Sequence, residues 1–182
     1  AGFDLMGIRG EFSSLTTYAS NVAVNLVIMA LIVVGGIGFL TWDDIRTNGI
    51  HFRKYRVQSK IIFSVTAILI FFPFLFFFFH EFSALKTGDR ILFSLFQSIT
   101  PRTAGFNTAD YSSLSQSGQA MSVFLMLIGG SPGSTAGGMK TTTIAVLVLS
   151  SIAVFRRKED TECFGRRVME ENVRAAGAIF FL

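Results

Sequence analysis

The chain has 182 residues, of which 51% are hydrophobic and 15% charged, with 21 phenylalanines and a formal net charge of +4. So little charge excludes an ordinary soluble domain, in which about 25% of residues are charged, and the basic excess lies in two loops rather than in one patch, which argues against a nucleic-acid-binding face. The single cysteine, Cys163, rules out an internal disulfide and reads as an incidental free thiol in a reducing compartment.

No charged residue falls within 12–42, 61–79, 111–139 or 141–155. About 20 mostly apolar residues span a bilayer as a helix, so the expected class is an all-α integral membrane protein. The chain opens on Ala1, Gly2, Phe3 and Asp4 with no helix before them, and residues 6–17 read as an external loop. A first span is expected over residues 20–41. Gly35, Gly36 and Gly38 near its end permit close helix approach, and Trp42 takes the place of an interfacial anchor. Residues 43–60 form a polar loop in which Arg46, Arg53, Lys54, Arg56 and Lys60 outnumber Asp43 and Asp44. That bias puts the loop on the cytoplasmic side.

The second span, residues 61–79, leads outward with a kink at Pro73. Its phenylalanine run faces lipid or neighbouring helices, and His80 marks its outer, interfacial end. Residues 81–90 form an external loop. Ile91, Leu92, Leu95, Phe96 and Ile99 then recur at helical spacing, with Asp89 as N-cap and Pro101 as the stop. At about 12 residues this helix is too short to cross and reads as a re-entrant pore helix.

Residues 118–155 would make a single helix about 57 Å long, nearly twice the hydrocarbon thickness. The glycine-rich run 129–140 resolves the mismatch by leaving two half-helices, 118–128 and 141–155. Residues 156–174 carry Arg156, Arg157, Lys158, Arg166, Arg167 and Arg174 and form a second cytoplasmic loop. Residues 175–182 begin a further helix. The missing initial Met and the final apolar run give the expectation of a segment from a longer polypeptide.

Ala1-Gly-Phe-Asp4 recurs as Ala104-Gly-Phe-Asn107, 103 residues later, and Gly35-Gly36 recurs as Gly137-Gly138 at an offset of 102. Two matches in the same order at nearly one offset imply a duplicated unit of helix, pore helix, turn and helix. The expected division is the end of one unit (1–42), a loop (43–60), a whole unit (61–155), a loop (156–174) and the start of the next (175–182).

Two stretches carry the chemistry. Irregular backbone at membrane depth persists only where it is buried in protein or lines a watery path. In Thr103, Ala104, Gly105, Phe106 and Asn107, an extended turn with inward carbonyls can replace the water shell of a cation. Gly105 supplies the backbone angles, and the C-terminal end of the pore helix adds partial negative charge at the same place. The alternative is a plain tight turn after a helix. The second stretch is Gly129, Gly130, Ser131, Pro132, Gly133, Ser134, Thr135, Ala136, Gly137, Gly138, Met139 and Lys140. It reads as a mobile plug below the filter, with Lys140 as an intramembrane charge and hence a functional candidate. The alternative is a break that serves packing alone. The same run approaches a phosphate-binding loop, but Met139 displaces the lysine by one position from the required G-x-x-x-x-G-K-[ST]. A membrane-attached nucleotide hydrolase is therefore disfavoured, and no catalytic dyad or metal-ligand cluster stands out.

These residues resemble the membrane subunits of the Trk/Ktr/HKT potassium transporters, closest to the bacterial Ktr branch. Residues 103–107 look like the third-repeat filter, Ala1-Gly-Phe-Asp4 like the second-repeat filter, and 128–143 like the intramembrane gating loop. The resemblance implies four pore repeats around one pathway, with Gly2 and Gly105 as the glycines that go with potassium selectivity. It also implies a homodimer in a cell membrane and a cytoplasmic nucleotide-binding ring that controls the gate. Potassium and sodium would be the ions handled. The first repeat and most of the fourth are missing from the matched region, so transport is assigned to the parent protein.

Overall fold

The structure, a computed structural model, describes residues 13–158 and 160–181. Ala1, Gly2 and Phe3 therefore lie outside the described residues. Helices dominate, with one two-stranded hairpin between them: α1 (Val22–Gly36), α2 (Phe39–Asn48), α3 (Val57–Phe76), α4 (Thr87–Ile99), α5 (Gln116–Leu127), α6 (Thr141–Phe155), β1 (Glu162–Cys163), β2 (Arg166–Arg167) and α7 (Glu170–Phe181).

The first expected span is corrected. It is not one helix over 20–41 but two, α1 and α2, bent by 95°. Gly38 makes the corner with φ +89°, a left-handed value that glycine adopts without strain. Asn21 starts α1 by accepting from Val24 N at 3.1 Å. The expected polar loop 43–60 is likewise shorter, because α2 takes in Asp43 and Asp44 and α3 begins at Val57. Buried Asp44 ties these helices together. Its carboxylate accepts from Arg56 N at 3.1 Å and Ser59 Oγ at 2.5 Å, capping α3 from a neighbouring helix.

The second span is longer than expected. The helix passes through Pro73 and ends in a π-helical turn, Phe77–Glu81, so that Val57–Glu81 is the one described helix long and apolar enough to cross a membrane unaided. Arg90 satisfies the Phe78 carbonyl at 2.6 Å, with its guanidinium 4.0 Å over the Phe78 ring. Phe77 is fully buried, whereas Phe71, Phe72 and Phe79 are exposed, as lipid-facing side chains of a membrane helix would be.

The short helix expected before Pro101 forms as α4, from Thr87 to Ile99, which corrects the expected cap: Asp89 sits in its first turn, and Lys86 occupies the cap position without a side-chain bond. Leu92, Phe96 and Ile99 pack against Leu15, Met29 and Ile32, fixing α4 to α1. Ser94, Gln97 and Ser98 are buried as well, and Gln97 donates to Ser122 of α5 at 3.2 Å. On the far side Leu69, Phe77 and Phe82 meet Leu114, Leu125 and Ile128. The short helix is thus wedged between α1 and the α3–α5 pair, which aims its C-terminal end at the segment that follows.

The loop expected over residues 156–174 also differs from expectation. It carries the β1–β2 hairpin and gives way to α7 at Glu170. Cys163 is buried there against Ile61 and Ala145, and that burial pushes its thiol pKa up.

Candidate functional site

Pro101 cannot extend a helix as a donor, and α4 closes with Thr100 N donating to Phe96 O at 2.9 Å. Beyond it φ is positive at Thr103 (+65°) and Gly105 (+80°) but not at the residues between and after them. In an extended chain successive carbonyls alternate sides. Inverting φ at every second residue brings them toward one side, the geometry a carbonyl cation site requires.

The hydrogen bonds narrow the site further. The carbonyls of Thr100, Pro101 and Asn107 accept from Ala104 N, Thr103 N and Leu15 N at 3.3, 2.8 and 2.9 Å, and Phe106 O accepts from the Thr100 hydroxyl. Among the described residues, the carbonyls of Thr103, Ala104 and Gly105 accept none. Asn107 N donates to Ser14 Oγ at 2.8 Å, so the upper end of the turn hangs on the segment before α1. A Cβ at Gly105 would meet nothing, and its constraint is therefore conformational rather than steric.

The loop 129–140 is closed at its neck. Ile128 bridges to Met139, Gly129 N donates to Met139 O at 2.9 Å, and Thr141 N donates to Gly130 O at 3.2 Å. A Cβ on Gly129 would stand 1.8 Å from Gly137 O. The tip docks on the α1–α2 corner. Ser131 N donates to Gly36 O at 3.0 Å, Phe39 N to Gly133 O at 3.1 Å, and Thr135 N to Gly35 O at 3.4 Å. Lys140 forms no ion pair among the described residues; its ammonium donates to Ala136 O within the same loop at 2.7 Å.

Both stretches line one cavity of about 710 Å³. Thr100, Thr103, Ala104, Gly105 and Asn107 form one wall, and Met126, Thr135 and Gly137 another. Tyr111 lines the same space, beside Asp110. The Ser112 hydroxyl and amide donate to the Asp110 carboxylate at 2.7 and 2.9 Å and hold its pKa below the usual carboxylate value.

The family model described as TrkH, cation transport protein, matches residues 1–179. The chain belongs to this cation transport family. It is 40% identical over 187 residues to the potassium/sodium uptake protein NtpJ of Enterococcus hirae, covering 100% of this chain and 40% of that protein. It is 36% identical over 174 residues to the Ktr system potassium uptake protein B of Bacillus subtilis, covering 92% of this chain and 38% of that protein. The potassium transporter TrkH from Vibrio parahaemolyticus superposes with a TM-score of 0.72 over 87% of this chain and 36% of its own, at 24% identity, which shows a shared fold. The chain thus spans about two fifths of the length of these curated relatives. Membership of this transport family gives a membrane location.

In this TrkH-family chain, residues 103–107 and 129–140 converge on one cavity, with α5 between them in the chain. Sequence reasoning missed the supports Ser14 and Leu15 on the turn, Thr100 beneath it, and Arg102, and it read Gly38 for close approach without placing it under the loop. Arg102 carried a readable signal, since it is the sole charged residue between Arg90 and Asp110. The others are short side chains or backbone groups with no pattern of their own.

Proposed function

We propose that this chain forms a filter and gate of a multi-pass potassium uptake protein of the cell membrane. Potassium enters a site built from the carbonyls of Thr103, Ala104 and Gly105, completed by corresponding turns of the other repeats, Ala1, Gly2 and Phe3 among them. The loop 129–140 obstructs the path beneath, and membrane potential drives uptake. The observation that carries this reading is the shared cavity: unpaired carbonyls lie on one wall and the glycine-rich loop on another. Dehydrating a cation is repaid only by oxygens already oriented for it, and the alternating backbone handedness provides that orientation.

Relatives named for potassium and potassium/sodium uptake support potassium as cargo and a dependence on sodium. The resemblance to the Ktr branch supports a homodimer, contact with membrane lipid and a cytoplasmic nucleotide-binding ring as regulator. The work is conduction, not catalysis. A second reading, a non-transporting scaffold, draws on the tight backbone contact between Gly129 and Gly137.

Rubidium uptake with sodium competition, into liposomes holding a full-length transporter that carries these residues, separates the two readings. Gly105→Ser forces a side chain into a left-handed conformation. The strain of about 1–2 kcal/mol corresponds to roughly a tenfold change in an equilibrium. The expected result is a rubidium-over-sodium preference that falls about tenfold in a protein that still folds. Uptake no greater than that of empty liposomes would leave the scaffold.

A further inference from the structure

The filter loop and the gating loop each carry a cation, and one of the two has no role in the mechanism above. Lys140 binds its own loop. Arg102 sits directly behind the filter with 8% exposure, and its Nε is buried without a hydrogen-bond partner. Among the described residues no carboxylate pairs with it. A buried N–H without an acceptor is costly, which favours an arrangement in which an acceptor reaches Arg102 Nε.

The geometry says where they come from. Arg102 borders two cavities of about 10 Å³ each. Neither has room for another side chain to swing in, so the acceptor must be a wall already present. One cavity is walled by Gly36 and Gly130, the other by Ala104, Thr135 and Ala136. Three of these carbonyls are engaged by the gating loop itself: Gly36 O by Ser131 N, Gly130 O by Thr141 N and Ala136 O by the Lys140 ammonium. A displacement of the loop that breaks the Ser131–Gly36 bond frees Gly36 O, which belongs to α1 and lines both small cavities with Arg102.

We propose that Arg102 is a positioning residue that couples filter to gate: its guanidinium takes the Gly36 carbonyl released when the loop 129–140 moves, and so stabilises the displaced, conducting arrangement. The inference rests on the gating reading above. In the resting arrangement Arg102 Nε is unsatisfied, and removing the side chain breaks no hydrogen bond of the guanidinium. In the displaced arrangement it supplies a charge-assisted hydrogen bond from the segment that carries Thr103 and Ala104. Loop position and filter backbone are then linked through one side chain.

The test uses the full-length transporter in liposomes with Arg102→Met and Arg102→Lys. The expected result for Arg102→Met is rubidium uptake reduced about tenfold or more, the scale of a lost hydrogen bond to a charged group, with a melting temperature unchanged or raised. Arg102→Lys keeps the charge without the fork and should recover part of the rate. A residue with a purely structural role would lower uptake and melting temperature together. That outcome, failure of Arg102→Met to fold, or unaltered uptake overturns the proposal while leaving the potassium reading intact. If the parent protein itself carries no rubidium, that reading fails separately. Labelling of Thr135→Cys in a Cys163→Ser background by a hydrophilic thiol reagent then decides for Arg102. Arg102→Met slows labelling several-fold if the coupling holds and leaves it unchanged if it does not.

Discussion

Two helices of this chain break at a Gly-Gly pair, and they break differently. α1 ends at Gly36 and turns through 95° within two residues, whereas α5 and α6 are separated by residues 128–140. The first break is a rigid corner and the second a long loop, yet each completes the other. The loop's amides fill Gly35 O and Gly36 O, which α1 leaves open at its C-terminal end, and Gly133 O accepts from Phe39 N at the start of α2. A short corner serves as the dock and the long loop packs onto it.

Substitutions at the two breaks should separate neck, corner and dock. Gly129→Ala gives the largest effect, because its Cβ would lie 1.8 Å from Gly137 O, a backbone atom that cannot rotate away. The cost should exceed the about 1–3 kcal/mol of ordinary overpacking and appear as loss of monodisperse protein on size exclusion. Gly38→Ala should be next. It combines left-handed strain of about 1–2 kcal/mol with a Cβ 2.6 Å from Pro132 O. Gly36→Ala is the control, since its Cβ meets nothing and the change gains up to about 1 kcal/mol of helix propensity. Thermal melts that rank the two alike would refute the corner-and-dock picture. The smallest effect is expected for Thr135→Val, which removes only a hydroxyl contact of 3.4 Å to Gly35 O while its amide still bonds there. Its stability should stay within about 0.5 kcal/mol, and a larger drop would mean that the side chain, not the backbone, holds the loop.

The second break was legible and the first was not, for a simple reason. Residues 118–155 are too long for one span, so length demanded an interruption, and the observed α6 begins at Thr141 where the glycine run stops. Residues 20–41 have the length of one span and raised no such conflict. Gly38 betrays its corner only through φ and through Pro132 O beneath it. The pore helix shows the same limit. Its apolar periodicity revealed a helix near 91–99, but the periodicity did not show that Gln97 would bond Ser122 or that Ile91 would remain 45% exposed.

The sequence by itself determined what depends on local composition: helical membrane segments, a helix too short to cross, a turn after it and a glycine-rich interruption. Each follows from hydrophobic run length, spacing and backbone freedom, which act within a few residues. Tertiary structure decided which carbonyls stay unpaired, where the loop docks and which buried N–H is left without an acceptor. Hydrogen-bond satisfaction is settled between segments far apart in the chain. Ser14 reaches Asn107, Gly36 receives Ser131, and Arg102 is buried with its Nε unpaired.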